Sequence, residues 1–281
     1  MLTTKTKVSL AALAYSLISL GRRIVGKDDC TTVHRRGIQW SLNLSEGIDF
    51  SIYLLGAFER GTVATLQKLV KPGDVVFDIG ANIGSHALGL AHSVGDKGKV
   101  YAFEPTDFAF EKLRRNIALN PRLQARICAR QILLTSTVIE CPKPELYASW
   151  PLKNNGAVHP KHRGRLATTQ NATVDTVDAF VEHQGIDRVN LMKIDVDGHE
   201  LPVLQGSLGV LTVFKPVLVM EMSPYIHAEQ NSSFSGFIAL LRDAGYSIQH
   251  AGTGKPLPLQ AGALEALIPD GAGINVIARP N

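Results

Sequence analysis

From residue 75 onward, short apolar runs alternate with stretches in which apolar residues recur at helical spacing. The apolar runs predict buried strands, and the stretches between them predict helices. This alternation indicates an α/β fold with a mostly parallel sheet and helices on both faces. The last two strands are joined by a shorter connection without a clear helix, so we expect an antiparallel pair at the edge of the sheet. The predicted strands are VVFDIG, KVYAFEP, VNLMKIDVDG, PVLVMEMSP, YSIQHAG and INVIARP.

The first 60 residues lie outside this alternation. GIQWSLNL predicts a strand of a lid or hairpin that precedes the core. We therefore divide the chain into an N-terminal helix with a lead-in or lid segment, residues 1–60, and a main domain, residues 61–281.

An apolar run near the N-terminus, VSLAALAYSLISL (8–20), is flanked by basic residues on both sides. It is too short to span a bilayer, and no small-residue cleavage pattern follows it. One interpretation is a helix that packs on the domain or on a second copy in a homodimer. The alternative is peripheral contact with the inner face of a membrane, because the flanking cations favour anionic lipid. Five residues share one face of the predicted helix: Leu10, Leu13, Ala14, Leu17 and Ile18.

Charge and cysteine content narrow the choice of partner and compartment. The net charge of +4 comes from scattered basic residues, so we expect no nucleic-acid partner. Cys30, Cys128 and Cys141 lack CxxC spacing. This pattern argues against a disulfide framework or a zinc site and for a reducing, cytoplasmic location.

The loop DIGANIG (78–84) follows the first predicted strand, where open α/β sheets bind ligands. Gly80 permits a sharp turn, and Gly84 permits close approach of the backbone to a ligand. A dinucleotide loop would carry a glycine in place of Asn82, and the carboxylate of Asp78 would repel a pyrophosphate. S-adenosylmethionine has an ammonium group and no phosphate, and therefore suits Asp78 better. The alternative for Asp78 is a turn or helix-capping role.

A second acid, Glu104, ends the next predicted strand in VYAFEP. A carboxylate at that position can accept hydrogen bonds from both hydroxyls of a ribose. Enzymes that use NAD place an acid there too, so Glu104 alone does not distinguish the two cofactors.

A third group of polar residues lies in LMKIDVDGHELPVLQG (191–206). Asp195, at the end of a strand, could orient an acceptor hydroxyl or take its proton. His199 titrates near neutrality and is either the base or a local hydrogen-bonding residue. Asp197 in this segment, and Glu221 on the next predicted strand PVLVMEMSP, add oxygen atoms of the kind that Mg²⁺ prefers. Because these acids are spread along one loop, we expect no metal.

Several segments together resemble the FkbM family of methyltransferases, over roughly residues 47–278. They are VVFDIGANIGSHAL, VYAFEP, TVDTVDAFV and NLMKIDVDGHELPVLQG, with GIDFSIYLLGAFERGT before them. The resemblance implies a class I, Rossmann-like seven-stranded fold that methylates hydroxyl groups of sugars, glycans or natural products with S-adenosylmethionine.

The same resemblance assigns roles to individual residues. It implies that Asp78, Gly80, Asn82 and Gly84 lie in the cofactor loop and that Glu104 is the ribose acid. Asp195 falls in the family's strand-tip acid motif, where Asp197 replaces the more usual Glu.

Two segments keep open roles. ARICARQILLTSTVIECP lacks the family's turn near the adenine, which leaves the adenine contacts unassigned. YASWPLKNNGAVHPKHRGR (147–165) is basic and rich in turn formers. It is either a substrate loop for an anionic or glycan acceptor or a plain solvated loop.

Two other functions share the expected fold. A nicotinamide-dependent oxidoreductase would require the glycine that Asn82 replaces. A non-catalytic nucleoside-binding module would keep Asp78 and Glu104 but would not turn over.

The loop chemistry yields a direct prediction about the cofactor. We expect the protein to bind S-adenosylmethionine and S-adenosylhomocysteine and not NAD, because Asp78 and Asn82 replace a phosphate-binding loop. Isothermal titration calorimetry with the three compounds checks this. Binding of NAD, with none of S-adenosylhomocysteine, would contradict it.

Overall fold

The computed structural model describes residues 4–138, 143–153, 158–159, 163–230 and 232–281, and only the backbone of 4–8. Its first helices and strands are α1 (Thr4–Ile24), β1 (Cys30–Arg35), β2 (Ile38–Asn43), α2 (Gly47–Leu55), α3 (Arg60–Leu69), β3 (Val75–Ile79), α4 (Ala87–Ser93), β4 (Lys99–Phe103), α5 (Asp107–Ala118), α6 (Pro121–Gln124), β5 (Ile127–Arg130) and β6 (Ile132–Leu134). The later ones are β7 (Leu146–Ser149), β8 (Arg165–Ala167), β9 (Thr173–Asp175), α7 (Val177–His183), β10 (Leu191–Ile194), α8 (Glu200–Gln205), α9 (Leu208–Val213), β11 (Val217–Met222), α10 (Pro224–Glu229), α11 (Phe234–Asp243), β12 (Tyr246–His250), β13 (Pro256–Leu257), α12 (Ala261–Leu267) and β14 (Ile274–Pro280).

The main sheet has the strand order β13-β12-β14-β11-β10-β3-β4-β5. Strand β3 lies near its centre, parallel to β4 and β10. All five residues of β3 are buried, as expected for a strand that is covered on both faces. Seven strands and the two-residue strand β13 make up this sheet, and helices connect most of them, so the predicted α/β class is confirmed.

The antiparallel pairing at the end of the chain is confirmed, with a different position for one strand. Strand β14 pairs antiparallel with β12, but it also pairs with β11 and therefore lies inside the sheet. The antiparallel edge strand is β13, which pairs with β12. Helix α12 lies in the connection where the sequence pattern showed no clear helix.

The lead-in segment contributes to the hydrophobic core of the main sheet. Trp40, Leu42 and Phe50 share one buried cluster with Val76 and Leu88. Strands β1 and β2 form the predicted hairpin, closed by a turn at Arg36 and Gly37, which both have positive φ. The division at residue 60 remains a prediction. Apolar residues from both sides of it share this cluster.

Helix α1 packs through its small and aromatic residues and exposes its leucines. Tyr15 is buried edge-to-face on Phe50, and its hydroxyl donates to Asp29 at 2.8 Å. The predicted apolar face is therefore split: Ala14 and Ile18 are partly buried, whereas the leucines face outward. The exposed stripe consists of Leu10, Leu13, Leu17, Leu20 and Ile24. In the described part of the chain no helix combines the length and apolarity that crossing a membrane requires.

A buried ion pair joins the lead-in segment to helix α5. Lys112 Nζ lies 2.8 and 2.7 Å from the two carboxylate oxygens of Asp49, whose side chain is only 1% exposed. Asp49 also accepts a hydrogen bond from the backbone N–H of Asn43. Burial raises the pKa of Asp49, and Lys112 opposes that rise. The ion pair therefore joins α2 to α5. Removing these two charged groups from water is unfavourable, and their mutual attraction offsets that penalty.

Removing Lys112 should be far more costly than removing a surface cation from the same helix. We expect Lys112→Met to lower the free energy of unfolding by roughly 3 to 5 kcal/mol, because Asp49 would stay buried without its cation. The control is Arg115→Met, which breaks an exposed pair with Glu111 and should cost less than about 1 kcal/mol. Urea denaturation measures both, and equal losses in the two variants would contradict the prediction.

Candidate functional site

The backbone N–H groups of the loop after β3 donate hydrogen bonds to acceptors within the chain. Gly80 N and Ala81 N both donate to the carbonyl of Phe103, at 3.0 and 2.9 Å. Asn82 N donates to Glu104, Ile83 N to the side chain of Asn82, and Gly84 N to the carbonyl of Ala81. Five consecutive N–H groups therefore have acceptors within the chain. A phosphate-binding loop needs such groups free for its ligand.

The two glycines of this loop are required by close packing. Gly80 has a φ of +78°, and a Cβ at this position would lie 1.9 Å from the carbonyl oxygen of Asp195. Gly84 has a φ of +89°, and a Cβ there would lie 2.9 Å from Leu113 on α5. The structure thus explains the absence of a side chain at Gly84 by helix packing rather than by approach to a ligand.

Asn82 and Glu104 are joined across the ends of β3 and β4. Asn82 has a φ of +48°, a conformation that asparagine tolerates better than most residues. Glu104, 4% exposed, accepts from Asn82 N at 2.9 Å and from both the N–H and the hydroxyl of Thr106. Burial raises the pKa of Glu104, and these hydrogen bonds oppose the rise. Both bonds from Thr106 go to Oε1, so Oε2, which accepts only from Asn82, is the oxygen that keeps a lone pair for the ribose.

Lys193 connects the acids of two neighbouring strands, a role that the sequence reasoning missed. It is paired with Asp78 in the β10–β3 register, and its Nζ lies 3.2 Å from Asp78 Oδ1 and 3.4 Å from Asp195 Oδ2. Nζ also donates to the carbonyl of Gly80 at 2.9 Å. Burial lowers the pKa of Lys193, but Asp78 and Asp195 outweigh burial and raise it. The signal in the sequence was a single cation inside an otherwise apolar strand.

Asp78 is fully buried beside this lysine. Neither of its oxygens receives a hydrogen bond of good geometry from the described residues, despite the nearby ammonium. These acceptors fit a donor such as the ammonium of S-adenosylmethionine.

Glu59 and His86 are two further residues of the site that the sequence reasoning did not single out. Glu59, at the start of α3, has a φ of +46°, and its Oε2 lies 3.7 Å from His86 Nε2. The pKa of Glu59 is lowered because His86, Lys193 and Thr62 outweigh its burial. Strained backbone at a charged residue is common at functional sites. The lead-in segment thus places a carboxylate next to the strand-tip acids.

The loop after β10 concentrates negative charge. Asp197 has a φ of +47° and precedes Gly198, whose φ is +97°. Burial and repulsion from Asp195 raise the pKa values of Asp197 and Glu221 well above their ordinary range. Burial likewise raises the pKa of Asp195, while Lys193 lowers it. The side chain of Asp195 is 30% exposed, so it is open to a ligand on one side.

His199 is the N-cap residue of α8 and lies beside a buried acid–imidazole pair. Burial lowers its pKa, and its Nδ1 has no hydrogen-bond partner among the described residues. Glu200 lies 3.4 Å from His227 Nε2. Burial raises the pKa of Glu200 to about 7 and lowers that of His227 to about 4. The lowered pKa of His199 favours the neutral imidazole, the form that can accept a proton.

Two predictions lie partly outside the described residues. The proposed substrate loop (147–165) is described at 147–153, 158–159 and 163–165, where β7 and β8 form an antiparallel pair. Asn82 Nδ2 donates to the carbonyl of Ala148, which brings β7 close to the glycine loop. The segment expected near the adenine reaches β5 and β6 and then enters residues 139–142, which are not described.

The arrangement of the described acids can be compared with that of a metal site. Within the described ranges, no group of three or more His, Cys, Asp and Glu side chains is placed to hold a metal ion.

The chain is similar in sequence to known methyltransferases. The family described as "Methyltransferase FkbM domain" matches residues 78–248. The chain is 28% identical over 163 residues to the hexuronic acid methyltransferase AglP of Haloferax volcanii, covering 57% of this chain and 61% of that protein. It is 28% identical over 201 residues to the 31-O-demethyl-FK506 methyltransferase FkbM of Streptomyces tacrolimicus, covering 64% and 75%.

Among solved structures, the methyltransferase FkbM of Methylobacillus flagellatus is similar at 15% identity with a TM-score of 0.44, covering 77% of this chain and 50% of that one. The chain aligns with less than two thirds of the length of AglP and of the Sordaria araneosa methyltransferase sdnD.

The burial of Glu104 sharpens the test of its role. We expect Glu104→Gln to weaken the binding of S-adenosylhomocysteine by about tenfold or more, because charge-assisted bonds to the ribose are lost. Glu104→Ala should also lower the free energy of unfolding by about 2 kcal/mol, since buried donors of Asn82 and Thr106 lose their acceptor. Calorimetry and urea denaturation measure the two effects, with the exposed Glu111→Gln as control. If the dissociation constant of S-adenosylhomocysteine is unchanged in Glu104→Gln, the role of Glu104 is structural only.

Proposed function

The chain belongs to the FkbM methyltransferase family, and from this premise we propose that it transfers a methyl group from S-adenosylmethionine to a hydroxyl group of a sugar, glycan or natural-product acceptor. The hydrogen-bonded loop after β3 carries the proposal. The N–H groups of residues 80–84 all have acceptors within the chain, so this loop offers no cradle for a pyrophosphate. A nicotinamide-dependent oxidoreductase is disfavoured for the same reason.

Five residues at the ends of β3 and β4 would hold the cofactor, which supplies an activated methyl group. Glu104 would accept from the ribose through Oε2, and Asp78, whose oxygens accept no hydrogen bond from the described residues, would face the ammonium group. Gly80, Asn82 and Gly84 would shape the loop around it. Displacement from a sulfonium needs mainly proximity and alignment, so rigid placement of this loop is itself a contribution to the rate.

Asp195 and His199 would act on the acceptor. Lys193 restrains Asp195 from one side, and the exposed part of the carboxylate is free to orient an acceptor hydroxyl. Because burial raises its pKa, Asp195 is a better proton acceptor than an ordinary aspartate. His199, whose pKa is lowered by burial, is the alternative base. The two assignments predict different kinetic behaviour.

The acceptor class follows from the relatives and from the basic segment 147–165. The names of two relatives refer to a hexuronic acid and to 31-O-demethyl-FK506. We propose an acceptor of comparable chemistry, a small hydroxyl-bearing molecule or a glycan.

Substitution of Asp195 tests the catalytic proposal. If Asp195 orients the acceptor or takes its proton, Asp195→Asn should lower turnover by about 100-fold and change the affinity for S-adenosylhomocysteine much less. If His199 is the base, His199→Ala should flatten the acid limb of the pH–rate profile, where protonated imidazole cannot accept a proton. Incorporation of tritiated methyl groups into cell-envelope glycans and lipids is the assay, with Asp187→Asn as an exposed control.

Full activity of Asp195→Asn would remove this acid from the mechanism. Binding of S-adenosylhomocysteine without methyl incorporation into any acceptor would instead favour the non-catalytic nucleoside-binding module. We expect a chelator to have little effect, because no three His, Cys, Asp or Glu side chains of the described residues are placed to hold a metal ion.

We also propose that helix α1 contacts the inner face of the membrane. Its exposed leucine stripe is large, the helix contains no acidic residue, and Arg22 and Arg23 lie in its last turn. Apolar side chains flanked by cations favour an anionic lipid surface.

Vesicle sedimentation tests this contact. We expect the protein to sediment with phosphatidylglycerol vesicles and much less with phosphatidylcholine vesicles, and the double variant Leu13→Gln with Leu17→Gln to lose sedimentation. The control replaces two exposed residues of α9, Leu208→Gln with Val213→Gln, and should bind as the unaltered protein does. Sedimentation equilibrium that shows a dimer, dissociated by the α1 variant, with no vesicle binding, would assign the stripe to a second copy instead.

A further inference from the structure

A cleft lies between hairpin β1–β2 and helices α3 and α4, beside the proposed cofactor loop. Its empty volume, counted out to the open mouth and including open solvent there, is about 590 Å³. Its floor is apolar and includes Ile38, Leu66 and Leu90. Its polar lining consists mainly of Arg35, Arg36, Trp40, Gln67, His86 and His92.

Two polar side chains of the lining are buried without a hydrogen-bond partner among the described residues. They are Trp40, through Nε1, and His86, through both ring nitrogens, and each residue is only 3% exposed. An indole N–H can only donate, so Trp40 requires an acceptor atom. Buried polar groups are rarely left unpaired in folded proteins. A ligand that brings oxygen atoms into the cleft could accept from Trp40 Nε1 and from His86 Nδ1, the ring nitrogen that does not face Glu59.

The charge of the cleft selects for an anion. Two of the described residues that line it are arginines and none is acidic, although Glu59 Oε2 lies 3.7 Å from His86 Nε2. Arg35 is held in place because its Nε and Nη1 donate to the backbone carbonyls of Tyr53 and His34. Arg36 is exposed, and its stem packs over Gly56. Guanidinium groups pair well with carboxylate and phosphate oxygens.

The cleft adjoins the proposed reaction centre. Ser85 and His86 line it and directly follow the glycine loop in the chain. His86 Nε2 also lies 3.7 Å from Glu59 Oε2, on the side of the site that holds Lys193 and Asp195. A molecule bound in the cleft could therefore reach the methyl-transfer position with another part of its structure.

We infer that this cleft binds an anionic group of the methyl acceptor, a carboxylate or a phosphate, which pairs with Arg36 and accepts hydrogen bonds from Trp40 and His86. The inference rests on the proposed function and deepens it, because it makes the acceptor an acidic or phosphorylated molecule.

Fluorine NMR of the fluorotryptophan-labelled protein can detect binding at Trp40 without an activity assay. The chain contains two tryptophans, so two resonances are expected, and Trp150→Phe assigns them. The probes are glucose, glucuronate and glucose 6-phosphate, which share a ring and differ at one carbon. We expect glucuronate or glucose 6-phosphate to shift the Trp40 resonance in a saturable way, and to bind at least about fivefold more tightly than glucose. The tighter anion identifies whether a carboxylate or a phosphate is preferred.

Matched variants locate the binding in the cleft. Gly89 lies on α4 in the lining, and a Cβ added there would meet nothing within 4 Å, so Gly89→Leu should fill the cleft and abolish the shift. Gly61→Leu, on α3 and also in open space, is the control for the helix substitution. Arg36→Gln should weaken anion binding by about fivefold and leave glucose unchanged, whereas Arg114→Gln removes an equal charge elsewhere and should do neither.

Calorimetry with S-adenosylhomocysteine on the same samples distinguishes failure of the anion site from failure of the proposed methyl transfer. Cofactor binding, with no anion selectivity at Trp40 or with Gly89→Leu equal to Gly61→Leu, overturns the inference alone. Anion binding without cofactor binding refutes the proposed function, and with it the assignment of the anion to a methyl acceptor.

Discussion

The buried ammonium group of Lys193 is the interaction on which the site depends. It lies between the carboxylates of Asp78 and Asp195 and donates to the carbonyl of Gly80, so a single cation joins the ends of β3 and β10. Transfer of such a charge from water is costly, and only paired carboxylates and hydrogen bonds can offset that cost. The lysine also opposes the rise that burial causes in the pKa values of Asp195 and Asp197. The pairing of β3 with β10 therefore places Lys193 between Asp78 and the first acid of the loop after β10, Asp195.

The same constraint shapes the glycine loop. The carbonyl of Asp195 occupies the space where a side chain at position 80 would lie, and the loop is drawn over the end of β4 by hydrogen bonds to Phe103 and Glu104. A loop that uses its own N–H groups in this way is rigid and cannot also wrap a phosphate. Rigid placement suits a reaction that depends mainly on alignment of donor and acceptor.

The lead-in segment completes the site rather than merely preceding it. Its residues share the core of the main sheet, its Asp49 pairs with Lys112 on α5, and its Glu59 adds a carboxylate to the strand-tip acids. The cleft that we assign to the acceptor is also walled by this segment on one side. Acceptor binding is thereby connected to the packing of residues that belong to the N-terminal part of the chain.

The sequence alone determined the α/β class, the strand-tip positions of Asp78, Glu104 and Asp195, and the absence of a dinucleotide loop, because these depend on local periodicity and on residue types at fixed spacing. Tertiary structure decided which groups meet: Lys193 with Asp78 follows from the register of strands more than a hundred residues apart, and Glu59 with His86 from packing of the lead-in segment. It also decided which face of α1 is buried, because an alanine–tyrosine face fits the surface closely and leaves the leucines outside. Local patterns carry no information about such long-range pairings, because the pairings depend on how separate elements pack in one core.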